Sequence, residues 1–148
     1  MTNPFDWRTV LLAKHAQHVA LIHFPIALFI VGVALDWLAT RTKRATFATA
    51  AYFNFTVAAA SVLPVVLSGL AAWQWQLEGQ HVKGILLYHL LCGTASTVII
   101  LLSWWIHFHA RRGKLVSLPR WLFPLELLGV LTVMITSHLG GFLSGVNQ

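Results

Sequence analysis

Eight histidines carry most of the chemistry open to this 148-residue chain. An imidazole can ligate a transition metal, hold haem iron axially or move a proton near neutral pH. His15, His18 and His23 come in one run, His81 and His89 lie mid-chain, His107 and His109 follow, and His138 stands near the end. Acid is scarce: Asp6, Asp36, Glu78 and Glu126 are the complete set. The lone Cys92 excludes an internal disulfide and any cysteine-rich metal or iron–sulfur site, and reads as a small buried apolar residue. No Ser-His-Asp arrangement, phosphate loop or HExxH run is present, so an ordinary hydrolase is not indicated.

The elements that must position these histidines are membrane helices. The chain is 57% hydrophobic and 9% charged, with mean hydropathy +0.73, whereas a soluble domain carries about 25% charged residues. A soluble globular protein and a disordered chain are both excluded. Four stretches are long enough to span a bilayer, which takes about 20 mostly apolar residues. They run from about His15 to Leu35, from Ala45 to Leu77, from Gly84 to Ala110, and from near Trp121 onward with Glu126 inside. Strand-like alternation is absent, so the spans are helices. Short connections make consecutive helices antiparallel neighbours. The expected fold is all-α: one four-helix transmembrane domain over residues 1–148, up-down-up-down, with helices at about 16–39, 45–76, 83–110 and 119–143. Residues 5–14 are a candidate short interfacial helix. The start, MTNPFDWR, lacks the basic region of a signal peptide.

The net charge of +6 does not indicate nucleic acid, because the cations cluster between apolar runs. Arg41, Lys43 and Arg44 fill the first loop, and Arg111, Arg112, Lys114 and Arg120 the third. The second loop holds only Lys83. The positive-inside rule then puts loops one and three in the cytoplasm and both termini on the outer, periplasmic side of a bacterial inner membrane. Trp37, Trp104, Trp105 and Trp121 would form a cytoplasmic-side belt, with Trp73 and Trp75 at the opposite interface.

This topology sorts the histidines by side. Only His107 and His109 fall on the cytoplasmic side, where they resemble a solvated helix end. At 1.5 Å rise per residue, His23 and His89 each lie roughly 9 Å inside the outer boundary, and His138 lies at a similar depth. His18 is shallower. Helices 1 and 3 are diagonal in such a bundle, so His23 and His89 could clamp a haem between them. Ala27 and Ala34 beside His23, and Gly93 and Ser96 beside His89, leave room for a flat group. Taken singly, each histidine is equally well explained by a bond to another helix. Three on three helices at one depth favour a shared site, because ionisable groups in a bilayer are costly. His15, His18 and His81 fit ordinary interfacial positions. His89 and His107 are about 27 Å apart along one helix, and helix 1 has no cytoplasmic-side histidine, so one haem is expected rather than two.

Other residues add less. Pro64 should bend helix 2, and Pro25 should kink helix 1 or mark its first turn. Glu126 could relay protons or line a quinone pocket; a bond to a loop-three arginine or to His107 is as good an account. Asp36 is expected to pair with Arg41 or Lys43.

The run His15-Ala-Gln-His18-Val-Ala-Leu-Ile-His23-Phe-Pro-Ile-Ala-Leu28 resembles the HPxHPxLVHFPIAL opening of a bacterial four-helix membrane family, domain of unknown function 2231. Asp36, the Ser68-Gly69-Leu70 stretch with Trp73 (similar to TGLxDW), His89 and the Gly140-Gly141 pair extend the likeness over most of the chain. Ala16 and Val19 replace the two prolines of the opening. Ala72 stands where the family often has Asp, Gly93 where it often has Asn, and His138 where a bulky apolar residue is expected. The resemblance implies a four-helix membrane fold. The family's loose grouping with two-haem b-type cytochromes implies His23 and His89 as haem ligands.

The leading expectation is therefore a b-type cytochrome subunit. One haem b would be bound by His23 and His89, with His138 replacing one of them or bonding a propionate, and His18 near the site. It would pass electrons between quinone and a periplasmic redox partner. The alternatives are a structural subunit of a larger respiratory or photosynthetic complex, and a histidine-based transition-metal handling protein. A quinone-binding enzyme has only Tyr88, beside His89, in its favour.

Overall fold

The structure, a computed structural model, describes residues 16–76, 78–79, 81–115 and 117–144. The interfacial helix expected at residues 5–14 and His15 lie outside the described residues. Among the described residues four helices make up the fold: α1 (Ala16–Thr42), α2 (Ala45–Gln76), α3 (Gly84–Arg111) and α4 (Leu122–Leu143). All four are long and apolar enough to cross a membrane. Their sequences are apolar on every face, as lipid requires, and the outward faces carry Phe53, Leu63, Leu91, Leu131 and Met134.

The boundaries follow local chemistry. α1 runs three residues past its expected end, and Lys43 then breaks it at φ 58°, so that only Lys43 and Arg44 join α1 to α2. α3 closes with two bonds, Gly113 N–H to Ala110 O and Lys114 N–H to His109 O. This is a Schellman cap, and the left-handed turn it needs falls on Gly113 at φ 68°. α4 begins at Leu122, three residues late, because Pro119 sits in the loop and accepts from Leu122 N–H at 3.0 Å. Pro25 and Pro64 both lie inside continuous helices.

The bundle is two hairpins. α1 packs along α2 and α3 along α4; the hairpins meet more lightly, α2 on α3 and α1 on α4. α1 and α3 are therefore diagonal. One layer binds the hairpins tightly: a Cβ on Gly129 of α4 would stand 2.6 Å from Ile99 Cγ2 of α3 and 2.8 Å from Phe29 Cε1 of α1. Only a residue without a side chain lets these helices approach so closely.

The core around this layer comprises Phe29, Val33, Ala51, Phe55, Ala58, Val62, Ile99, Ile100 and Val133. It fills the half of the bundle nearer the α1–α2 and α3–α4 loops, called here the loop end. In the opposite half, called here the termini end, few of the described side chains are buried. Across residues 17–25, 63–75, 84–95 and 134–144 only Pro25 and Leu86 are buried.

Candidate functional site

Two clusters of chemically capable side chains stand at opposite ends of the bundle. At the termini end, each hairpin presents one histidine in the same local setting. In the first, His18 Nδ1 lies 2.9 Å from Ser68 Oγ. Ser68 gives its own hydrogen to Val65 O, so its oxygen accepts and His18 Nδ1–H donates. In the second, His89 Nδ1 lies 3.0 Å from Thr136 O. A carbonyl can only accept, so Nδ1–H again donates. In the neutral form of each ring this tautomer puts the basic lone pair on Nε2. Each ring also lies over a glycine of the second helix of its hairpin. A Cβ on Gly69 would meet His18 Cε1 at 3.0 Å, and one on Gly140 would meet His89 Cε1 at 3.2 Å.

Helix register sets their levels and faces. Phe29 and Ile99 both touch the Gly129 layer. His18 lies about eleven residues outward of Phe29 and His89 about ten outward of Ile99, so the two are level to within roughly 2 Å. At about 100° per residue, His18 shares the face of Pro25, Phe29, Val33 and Asp36, and His89 that of Ser96 and Ser103. Both rings are half-buried.

His23 and His138 stand differently. His23 is exposed and lies about 120° round α1 from the core face. Ala27 and Ala34, expected to clear space around an inward-facing His23, are also exposed. Its Nδ1 donates to Val19 O at 2.6 Å within its own helix. It also sits about five residues deeper than His18. On α4, His138 is exposed and meets Phe142 edge-on, ring centroids 5.0 Å apart. His81 is exposed in the α2–α3 loop. The level pair on core faces is thus His18 with His89, where spacing alone suggested His23 with His89. The contacts of Phe29 and Ile99 with the Gly129 layer set the relative level of α1 and α3.

The second cluster, at the loop end, joins three residues from three helices. His107 Nε2 and Glu126 Oε1 are 3.1 Å apart, and a carboxylate oxygen of Asp36 completes a group whose ligand atoms all lie within 4.8 Å of one another. Among the described residues it is the one group of three or more His, Cys, Asp or Glu side chains so placed. Glu126 is 0% exposed, and its Oε2 has no hydrogen-bond partner. Phe55 stacks on His107, centroids 4.7 Å apart at 26°. A cleft of about 280 Å³ opens beside the cluster, with Asp36, His107, Thr49, Tyr52 and Arg111 in its wall.

This arrangement corrects two expectations. His107 is buried, not a solvated helix end. Asp36 joins the cluster, where a pairing with Arg41 or Lys43 was expected; Arg41 lies over the Trp37 ring at 5.5 Å. Glu126 does bond His107, as one of its two readings had it. The available signal was Glu126 itself, an acid in the middle of an apolar span.

The family model described as "Predicted membrane protein (DUF2231)" matches residues 14–147. Neither a curated protein nor a solved structure matches the chain.

Proposed function

The chain belongs to the DUF2231 family of predicted membrane proteins, and from that premise we propose that it is a b-type cytochrome subunit holding one haem b between its two hairpins at the termini end. His89 of α3 and His18 of α1 are the proposed axial ligands. The observation that carries this reading is their matched setting: diagonal helices, one level, core faces, and each Nδ1–H donated so that Nε2 is the basic nitrogen. A hydrogen bond at the far nitrogen orients a ligating imidazole and raises its basicity. Gly69 and Gly140 let the two rings lie close against α2 and α4. Few described side chains are buried in this half, so a flat macrocycle there would displace little packed core. Haem, when bound, supplies a one-electron carrier whose potential follows from ligand identity, burial and nearby hydrogen bonds.

In this reading the protein contacts the bilayer along all four helices and carries electrons between quinone and a redox partner at the termini end. With positive loops inside, that end is periplasmic and the membrane is the bacterial inner membrane. The test is a reduced-minus-oxidised visible spectrum with a pyridine haemochrome assay on protein made with ample haem. About one haem per chain with b-type bands is expected. His18→Ala and His89→Ala should each abolish most of it, and His23→Ala should keep it. Loss in His23→Ala with retention in His18→Ala would restore the pairing that spacing suggested. Haem-free wild-type protein would leave the structural-subunit reading.

A further inference from the structure

We infer that Asp36, His107 and Glu126 form a binding site for one divalent first-row transition-metal ion at the loop end, independent of the haem reading. The donor set fits such an ion. Two carboxylates and a neutral imidazole give one nitrogen and two or more oxygens, and with a divalent cation the assembly carries no net charge. Neutrality matters inside a bundle, where an unpaired charge is costly. A zinc ion with bonds of about 2.0–2.2 Å holds tetrahedral ligand atoms roughly 3.3–3.5 Å apart. His107 Nε2 and Glu126 Oε1 are at 3.1 Å, and one ligand atom from each of Asp36, His107 and Glu126 lies within 4.8 Å of the other two. A shift of roughly an ångström brings such a set to the ligand spacing of a zinc ion. The ion replaces the proton shared between His107 Nε2 and Glu126 Oε1.

A second observation points to the same ligand. Glu126 Oε2 is fully buried and has no hydrogen-bond partner. Leaving a buried acceptor unsatisfied costs about 1–3 kcal/mol, more for a charged group, and a metal ion supplies the missing partner. The site is also held in place. Phe55 stacks on the His107 ring, and the ligands come from α1, α3 and α4, so a bound ion ties the two hairpins together. Access runs through the cleft, since Asp36 and His107 line its wall. The cation at its rim, Arg111, is drawn aside: it donates to Thr49 Oγ1 at 3.1 Å and lies over the Tyr52 ring at 4.8 Å. Three protein ligands beside a cleft leave a fourth position for water.

The experiment is a Zn²⁺ titration of the detergent-purified, chelator-stripped full chain against a chromophoric chelator, with and without haem. About one tight ion per chain is expected, with affinity at least about 100-fold lower in Glu126→Gln and Asp36→Asn. The triple variant His23→Ala/His81→Ala/His138→Ala, which removes exposed histidines, should match wild type. Should a ligand variant misfold, zinc-edge X-ray absorption on the wild-type chain decides. One imidazole among oxygen ligands supports the site. Two or more imidazoles, equal affinity in the ligand variants, or no stoichiometric binding would each overturn it. The zinc readout does not depend on haem content, so the two readings fail separately.

Discussion

At the residue scale, the tightest glycine contact among the described residues is at Gly129. Gly129 faces Ile99 and Phe29, both firmly packed in the core. A methyl there would stand 2.6 Å from Ile99 Cγ2, too close for any flexible tip to relieve. Gly129→Ala should destabilise the bundle by about 1–3 kcal/mol, the usual cost of overpacking. Reversible unfolding in mixed detergent measures it, and an unchanged midpoint would mean the helices separate there at little cost. The two clusters also differ in what they ask of single residues. His18 and His89 have settled partners on their Nδ1 atoms, whereas Glu126 has one oxygen bonded and one bare.

At the element scale, the hairpin is the unit that repeats. In each, a histidine near the start of the first helix donates to an oxygen on the second and lies over a glycine there. The similarity is in geometry and is hardly visible in sequence: Ser68 acts through its hydroxyl, Thr136 through its backbone carbonyl. Under the haem reading the glycines set the ring positions. Gly69→Ala and Gly140→Ala should each lower haem occupancy, because the added methyl meets the ring at 3.0 Å and 3.2 Å. Haem-to-protein ratios of the purified variants test this, and full occupancy in both would mean that the glycines do not set the ring positions. The hairpins meet lightly, and the packed core that joins them lies toward the loop end.

At the scale of the whole molecule, the loops and the clusters share an axis. The basic loops flank the Asp36–His107–Glu126 end, and the level histidines stand near the termini. The positive-inside rule predicts that the two sites face opposite compartments. In a Cys92→Ala background, Lys43→Cys and Lys114→Cys should react with a membrane-impermeant thiol reagent only from the cytoplasmic side. Glu78→Cys should react only from the other. Labelling of Lys43→Cys in intact cells would invert the topology and exchange the compartments of both sites. The tryptophans fit an interfacial level, with Trp37, Trp105 and Trp121 exposed at the loop end and Trp75 at the other. Trp104 turns inward instead, its Nε1 buried.

Long runs without charge and short basic loops determined four spans, their order and their near-correct limits, because a bilayer penalises charge wherever it falls and needs only length. They also marked His89 and Glu126 as unusual, since both stand inside spans. Rotation and relative depth were another matter. A helix apolar on every face carries no stripe to say which side turns inward, so the sequence placed His23 above His18 on depth alone and read His107 as a solvated end. Those choices were made by packing: Phe29 and Ile99 against Gly129 set the register of α1 and α3, and the same register turned Asp36, His107 and Glu126 toward one another. Contacts between residues far apart in the chain carry that information, and they exist only once the helices have met.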